Sequence, residues 1–336
     1  MLGKEINVDY TLEELGEEKV VDLIGKTIVS RRALSEVLEY PDDARDMITR
    51  GPKLIISVDA YGLHSLKLPW RSYSDVAWAA VTGSLSDIVS KGGFPSAILI
   101  SLGLSPQMRL SELLDLLSGL KEAVETYSVR IIGGDTNSSS DPWISITSLG
   151  FTSCKKPPSR RGMRPGDRLL VTGRYGAMGF VALHGIEEAS KQKWVVEATR
   201  RPRLRVELAS LVSQECRFIT ATMDVSDGLG HVLEYLARLN NLRIIISQPP
   251  LVYDEVNELC NGDPRCLIKY SLVGGEEYGL VISVPQEGLR HVLRELELYD
   301  EPYSLIGVAE AGEPGIYFKG EKIDVKRWDQ FRGWSP

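Results

Sequence analysis

Apolar residues recur at helical spacing through positions 11–39, at Leu12, Leu15, Val20, Val21, Ile24 and Ile28, between charged neighbours. That pattern predicts one or two amphipathic helices. A polar loop follows at 40–47. Residues 54–58 form a short β-rich run, which predicts a buried strand ending at Asp59. Residues 74–92 are small and apolar at helical spacing, and Gly92-Gly93 stops that helix. A strand at 97–102, an amphipathic helix at 108–126 and a strand at 129–132 come next. That strand runs into Gly133-Gly134-Asp135, and 143–151 alternates as another strand.

Between 154 and 167 the periodicity gives way to Pro, Gly and a basic cluster, which marks the domain boundary. A strand at 168–172 then enters the Gly-rich turn 173–179, and a long helical stretch covers 176–215. Residues 223–240 suggest a strand end, a turn and a helix. Further strands are predicted at 242–247, 279–284 and 304–308. The expected architecture is two α/β domains, 1–153 and 154–336, with the chemistry on loops.

The chain has 336 residues, 43% hydrophobic and 25% charged, which excludes disordered and collagen-like classes. Lys plus Arg total 39 against 46 Asp plus Glu, a formal charge of −7 with no basic block. General nucleic-acid or anionic-membrane binding is therefore not expected. No apolar run approaches the roughly 18 residues of a membrane span, and the acidic N-terminus lacks a signal-peptide core, so a cytoplasmic protein is expected. Four cysteines without a C-x-x-C pair and four scattered histidines speak against zinc. Cys260 and Cys266 bracket Asn-Gly-Asp-Pro-Arg. Free thiols are expected over a disulfide in a chain with no export signal.

The candidate chemistry lies in acidic turns: Asp42-Asp43, Asp59, Asp87, Asp135, and Asp224 with Asp227. Any one of them alone suits a helix cap or a turn. As a set they follow apolar runs or small residues. Two carboxylates about 4 Å apart repel by roughly 4 kcal/mol at an effective dielectric near 20, so a convergent cluster calls for a counter-ion. Mg²⁺ takes oxygen ligands and bridges carboxylates to phosphates, which points to a nucleotide or polyphosphate site with several Mg²⁺ ions. The Gly-rich turn 173–179 is spaced G-x-x-G-x-x-G, a near miss of the dinucleotide fingerprint, and no Walker pattern is present. Gly274-Gly275-Glu276-Glu277-Tyr278 reads as a turn before a strand.

These motifs occur in a set order: Asp42-Asp43-Ala44, Ser57-Val58-Asp59, Leu85-Ser86-Asp87-Ile88, Ile132-Gly133-Gly134-Asp135-Thr136, Arg160-Arg161-Gly162 with Pro165-Gly166-Asp167, Asp224-Val225-Ser226-Asp227-Gly228-Leu229, and Gly274 to Tyr278. The ordered set, over about residues 40–331, resembles thiamine-monophosphate kinase. That family belongs to the ATP-binding superfamily of aminoimidazole ribonucleotide synthetase, selenophosphate synthetase and the hydrogenase-maturation dehydratase. The resemblance implies a two-domain aminoimidazole ribonucleotide synthetase-like α/β fold whose N-terminal sheet dimerises. It implies ATP as co-substrate, several Mg²⁺ ions, a phosphorylated small-molecule acceptor and a homodimer. Carried over by position, Asp42, Ser57, Asp59, Asp87, Asp135, Asp224 and Asp227 are metal-site residues. Gly134, Asp135, Arg160 and Ser226 contact ATP, and Glu276 and Trp328 contact the acceptor.

The chain departs from the family pattern around the acceptor. Leu66 stands where the family carries a His, and His64 lies two residues early. Val58, Ala79, Pro41, Glu277 and Gln330 replace the residues usual at their positions. Within 60–67, Lys67 is then the best electrostatic partner for an acceptor phosphate. The implied reaction is phosphorylation of thiamine monophosphate to thiamine diphosphate. The alternatives are a divergent phosphotransferase or synthase of the same superfamily and a nucleotide-binding protein without turnover.

Overall fold

The structure, a computed structural model, describes residues 8–31, 33–34, 47, 49–325, 328–329 and 333–334. Strand β1 runs Lys53–Gly62, so Asp59 lies inside it and not at its end. The expected burial of 54–58 is also corrected. Leu54, Ile56 and Val58 are 44%, 59% and 64% exposed, while Ile55, Ser57 and Asp59 are half-buried. Period-two geometry puts the first three on one face of an edge strand. Strands β2 (Phe94–Leu104), β3 (Arg130–Ser138) and β4 (Trp143–Thr152) complete a four-stranded sheet in the order β1-β4-β2-β3.

Strand β3 continues through Gly133-Gly134-Asp135, where the sequence predicts a turn. A register shift beside Ile98 and Leu99 of parallel β2 lets it carry on, with Gly134 opposite Ile100 and Asp135 opposite Ser101. A Cβ on Gly134 would lie 1.7 Å from the Ile100 carbonyl oxygen, so only glycine permits this pairing. Helix Tyr73–Ser90 carries Val76, Ala77, Ala80, Val81 and Leu85, all fully buried, which explains its lack of a polar face. Helix Leu110–Thr126 is amphipathic as expected, and Leu113, Leu116, Leu117 and Leu120 are buried.

Seven further strands form the second sheet: β5 (Arg168–Thr172), β6 (Ala221–Asp224), β7 (Arg243–Ile246), β8 (Leu280–Val284), β9 (Tyr303–Glu310), β10 (Gly315–Phe318) and β11 (Glu321–Ile323). Their order is β11-β10-β7-β9-β5-β8-β6. Only β7 and β10 pair in parallel; β5 is antiparallel to both of its neighbours. The turn at 173–179 therefore leaves no parallel β-α-β unit for a dinucleotide. The helix predicted over 176–215 is broken into Ala177–His184, Ile186–Ser190, Lys193–Arg200 and Leu208–Gln214. Gly185, at φ +83°, ends the first piece, and Pro202 follows the third. Helix Leu229–Asn240 buries Leu229, Val232, Leu233 and Leu236 in one core with Val171, Ile244, Val281 and Ile306.

The chain divides into two compact units, Met1–Leu85 with Pro95–Phe151, and Ser86–Phe94 with Thr152–Pro336. The second holds two disulfides, Cys154–Cys216 and Cys260–Cys266, so the expectation of free thiols at 260 and 266 is corrected. The reason is local. Cys260 caps helix Asp254–Leu259, Asp263 caps helix Pro264–Leu272, and the turn between them brings Cys266 back to Cys260. Among the described residues no helix is long and apolar enough to cross a membrane.

Candidate active site

The end of β6 and the last turn of helix Tyr73–Ser90 build the densest group of candidate residues. Ser86 Oγ donates to Asp224 Oδ2 at 2.8 Å, Thr222 Oγ1 donates to the Ser90 carbonyl at 2.6 Å, and Lys91 Nζ donates to the Thr222 carbonyl at 2.7 Å. Asp224 is buried at 2% exposure, and burial with the neighbouring Asp87 charge pushes its carboxyl up to about 6. Arg160 lies 3.8 Å from Asp87 Oδ1 and 5.8 Å over the Tyr235 ring. Its backbone is fixed by Asn240, whose Nδ2 donates to the Arg160 carbonyl and whose Oδ1 accepts from Gly162 N–H. Asp167, from the same basic segment, is instead a packing residue. Its Oδ2 accepts from Thr220 Oγ1, Ser283 Oγ and Arg164 N–H.

Two loops meet beside this group. Val225 and Tyr278 exchange with each other's strand ends, as Val225 N–H donates to the Gly279 carbonyl and Tyr278 N–H to the Val225 carbonyl. Glu276 N–H donates to the Ser226 carbonyl at 2.7 Å. Gly228, at φ +98°, would place a Cβ 1.8 Å from the Gly274 carbonyl oxygen. Glu276 and Tyr278 both hold positive φ, +60° and +47°, the kind of backbone strain that surrounding structure must impose. The expected turn at 274–278 is thus a loop locked onto 225–228, ahead of β8. Asp227 is exposed and Ser226 half-buried on the facing loop. Burial holds the Glu277 carboxyl well above the usual carboxylate range, and Gly176 N–H donates to it.

In the first unit Asp135 is exposed, and its Oδ2 accepts from Asn137 Nδ2 at 2.6 Å. Ser145 Oγ donates to the Asp59 carbonyl at 3.0 Å. β1 and β3 form opposite edges of the sheet. Three strand spacings put their backbones roughly 14 Å apart, so the sheet does not make Asp59 and Asp135 neighbours. Asp42 lies outside the described residues, and Trp328 is described by its backbone alone, paired with Trp334. Among the described residues no group of three His, Cys, Asp or Glu side chains gathers to hold a metal ion. Asp87 and Asp224 nevertheless suit Mg²⁺, which binds through one or two carboxylates and takes its other ligands from water and phosphate. A divalent ion there would also relieve the burial of the Asp224 carboxylate.

Residues 41–152 match the family of AIR synthase related protein, N-terminal domain, and residues 164–319 that of the C-terminal domain. Thiamine-monophosphate kinase of Aquifex aeolicus (strain VF5) is 30% identical over 329 residues, 95% of this chain and 99% of that protein. The chain belongs to the thiamine-monophosphate kinase family. It shares that family's two-domain fold. The solved structure of AaThiL complexed with AMPPCP and TMP is 26% identical and covers 96% of this chain and 99% of its own, with a TM-score of 0.69. Hydrogenase maturation protein HypE in complex with ATP covers 87% of this chain and 90% of its own, with a TM-score of 0.68. At 19% identity that likeness shows the fold alone.

Within this thiamine-monophosphate kinase family member the altered 60–67 segment is a strand end followed by the helical turn Leu63–Leu66. Leu66 packs inward at 7% exposure, and His64 is exposed. Lys67 is half-buried, with its Nζ donating to the Arg71 carbonyl and lying 5.2 Å from the Tyr73 ring. Two residues of the β6 group escape a motif-based reading, Lys91 and Thr222. The only signal for Lys91 is its place four residues after Asp87, in the turn that closes the helix.

Proposed function

We propose that this protein transfers the γ-phosphoryl group of ATP to thiamine monophosphate, giving thiamine diphosphate and ADP. The observation that carries the reading is buried Asp224 beside half-buried Asp87, with Arg160 next to them, in a chain 30% identical over nearly its whole length to a thiamine-monophosphate kinase. The AaThiL complex with AMPPCP and TMP supports the same pair of substrates.

In this proposal Asp42, Ser57, Asp59, Asp87, Asp135, Asp224 and Asp227 hold Mg²⁺. Gly134, Asp135, Arg160 and Ser226 contact ATP, and Glu276, Trp328 and Lys67 contact the acceptor. Residues 1–153 carry ATP, metal and dimer contacts, and 154–336 complete the nucleotide and acceptor sites in the cytoplasm. Bound Mg²⁺ supplies charge neutralisation of the phosphates. An acceptor phosphate oxygen forms the new bond to the γ-phosphorus as the bond to the ADP oxygen breaks. That nucleophile is already anionic, so no general base is needed, and positioning carries the catalysis. Arg160, with its guanidinium 3.8 Å from Asp87, offers a planar cation to phosphate oxygens.

The test is ATP consumption with and without thiamine monophosphate, with product identified by mass. Formation of thiamine diphosphate is expected, and ATP use indifferent to that acceptor rejects the reading. Lys67→Ala should raise KM for the acceptor about ten- to a hundredfold and leave KM for ATP nearly unchanged, the loss of one charge-assisted hydrogen bond. The Arg71 carbonyl occupies one of three ammonium donors, so others remain for phosphate. A second reading, a related ATP-dependent phosphotransferase or synthase with another phosphorylated acceptor, is favoured by buried Leu66 at the family's His position.

The proposal includes a homodimer. Its support is the apolar face of edge strand β1, since monomers rarely leave such an edge uncovered. Light scattering at micromolar concentration should give twice the chain mass, and Ile56→Lys should give the monomer mass. A wild-type monomer with full activity rejects the dimer.

A further inference from the structure

The turn that closes helix Tyr73–Ser90 carries a cation that no motif accounts for, Lys91. Lys91 Nζ donates to the Thr222 carbonyl at 2.7 Å and to Thr222 Oγ1 at 3.3 Å. Thr222 and Asp224 stand two apart on β6, so their side chains share one face of the strand. Asp87 lies in the last turn of the helix and Lys91 is the first residue past it, and both carboxylates bear on the ammonium. The ammonium is thereby held beside both carboxylates, at a distance set by Thr222 and not by direct pairing. Asp87 and Asp224 against Arg160 and Lys91 leave the group formally neutral.

We propose that Lys91 is a built-in counter-cation of the Asp87–Asp224 pair: a positioning residue that keeps the carboxylates together in the metal-free protein and sets how tightly they take a divalent ion. Burial and the nearby Arg160 charge lower its ammonium to about 8, so it is still mostly charged near neutrality. The inference rests on the proposed metal role of Asp87 and Asp224. It requires neither ATP nor the acceptor.

A merely structural lysine and a counter-cation make different predictions. If Lys91 only brackets the helix to β6, its loss lowers the metal-free and metal-bound forms equally. If it is the counter-cation, its loss destabilises chiefly the metal-free form, and Mg²⁺ replaces the missing charge. The experiment compares wild type, Lys91→Met and Lys91→Arg as full-length protein. Mg²⁺ alone is titrated by calorimetry, and Tm is recorded in chelator and in saturating Mg²⁺. Lys91→Met should bind Mg²⁺ on the order of tenfold more tightly and show a larger Mg²⁺-induced rise in Tm than wild type, from the removed charge repulsion. Lys91→Arg should restore wild-type values, and Asp87→Asn added to Lys91→Met should abolish the gain. Equal Tm losses with and without Mg²⁺, or unchanged Mg²⁺ affinity in Lys91→Met, overturn the proposal. Failure of the kinase reading shows separately, as no thiamine diphosphate formed by a wild type whose Mg²⁺ titration is normal.

Discussion

Asp224→Asn should lower Mg²⁺-dependent ATP turnover at least a hundredfold while leaving the metal-free protein as stable as wild type or more so near neutral pH. Asn keeps the Ser86 hydrogen bond to Oδ1, so local packing survives. What is lost is the charge. Conservative changes merely next to metal ligands cost about ten- to a hundredfold, and loss of a ligand itself costs more. The stability arm follows from linkage. The folded carboxyl titrates near 6 and the unfolded one near its ordinary value of 3.8. Between those values the folded state holds a proton that the unfolded state has released, so metal-free stability falls as pH rises through that window. Two pKa units correspond to about 3 kcal/mol. Melting curves in chelator from pH 3.5 to 7.5 should show this decline in wild type and its absence in Asp224→Asn. A variant with the same slope as wild type, or with full turnover, refutes the assignment of Asp224.

The second large effect is expected from Cys154–Cys216. The bridge links residues 62 apart, and a loop of that length constrains the unfolded chain by about 4 kcal/mol. For a unit of this size that is a Tm loss of roughly 8–16 °C. Cys154→Ser with Cys216→Ser, or treatment with reductant, should show it by calorimetry. Cys260–Cys266, at a separation of 6, should be worth about 2 kcal/mol. Equal melting with and without reductant would mean that the bridges do not form. Two disulfides are uncommon in a reducing compartment outside hyperthermophiles, so this measurement also bears on the expected cytoplasmic location.

The family was legible in linear order. Asp87, Asp135, Asp224 and Asp227 sit in short motifs beside small residues, and the ordered set pointed to the family that the relatives then showed. Legibility ended where a partner lay far along the chain. Ser86 bonds Asp224 across 138 residues, and Lys91 bonds Thr222 across 131. No local pattern carries such pairings. Lys91 in particular reads as an ordinary polar residue closing a helix, because its neighbours are supplied by β6.

The sequence by itself determined the elements whose signal is periodic and local: helix Leu110–Thr126 from its leucine spacing, β5 and β8 from their apolar runs, and the stop at Gly92-Gly93. Backbone geometry sets those periods, so a few adjacent residues suffice. Tertiary structure decided the rest. It decided that Leu54, Ile56 and Val58 face outward, because alternation gives two faces to a strand and only its neighbours choose between them. It decided that Gly133 and Gly134 continue β3, because a bulge against β2 is a property of the pair and not of either strand. It decided that Cys154 meets Cys216 and that Asp224 is buried beside Asp87. These outcomes depend on which distant segments pack together, and the free energy of burial and pairing is gained only once they have.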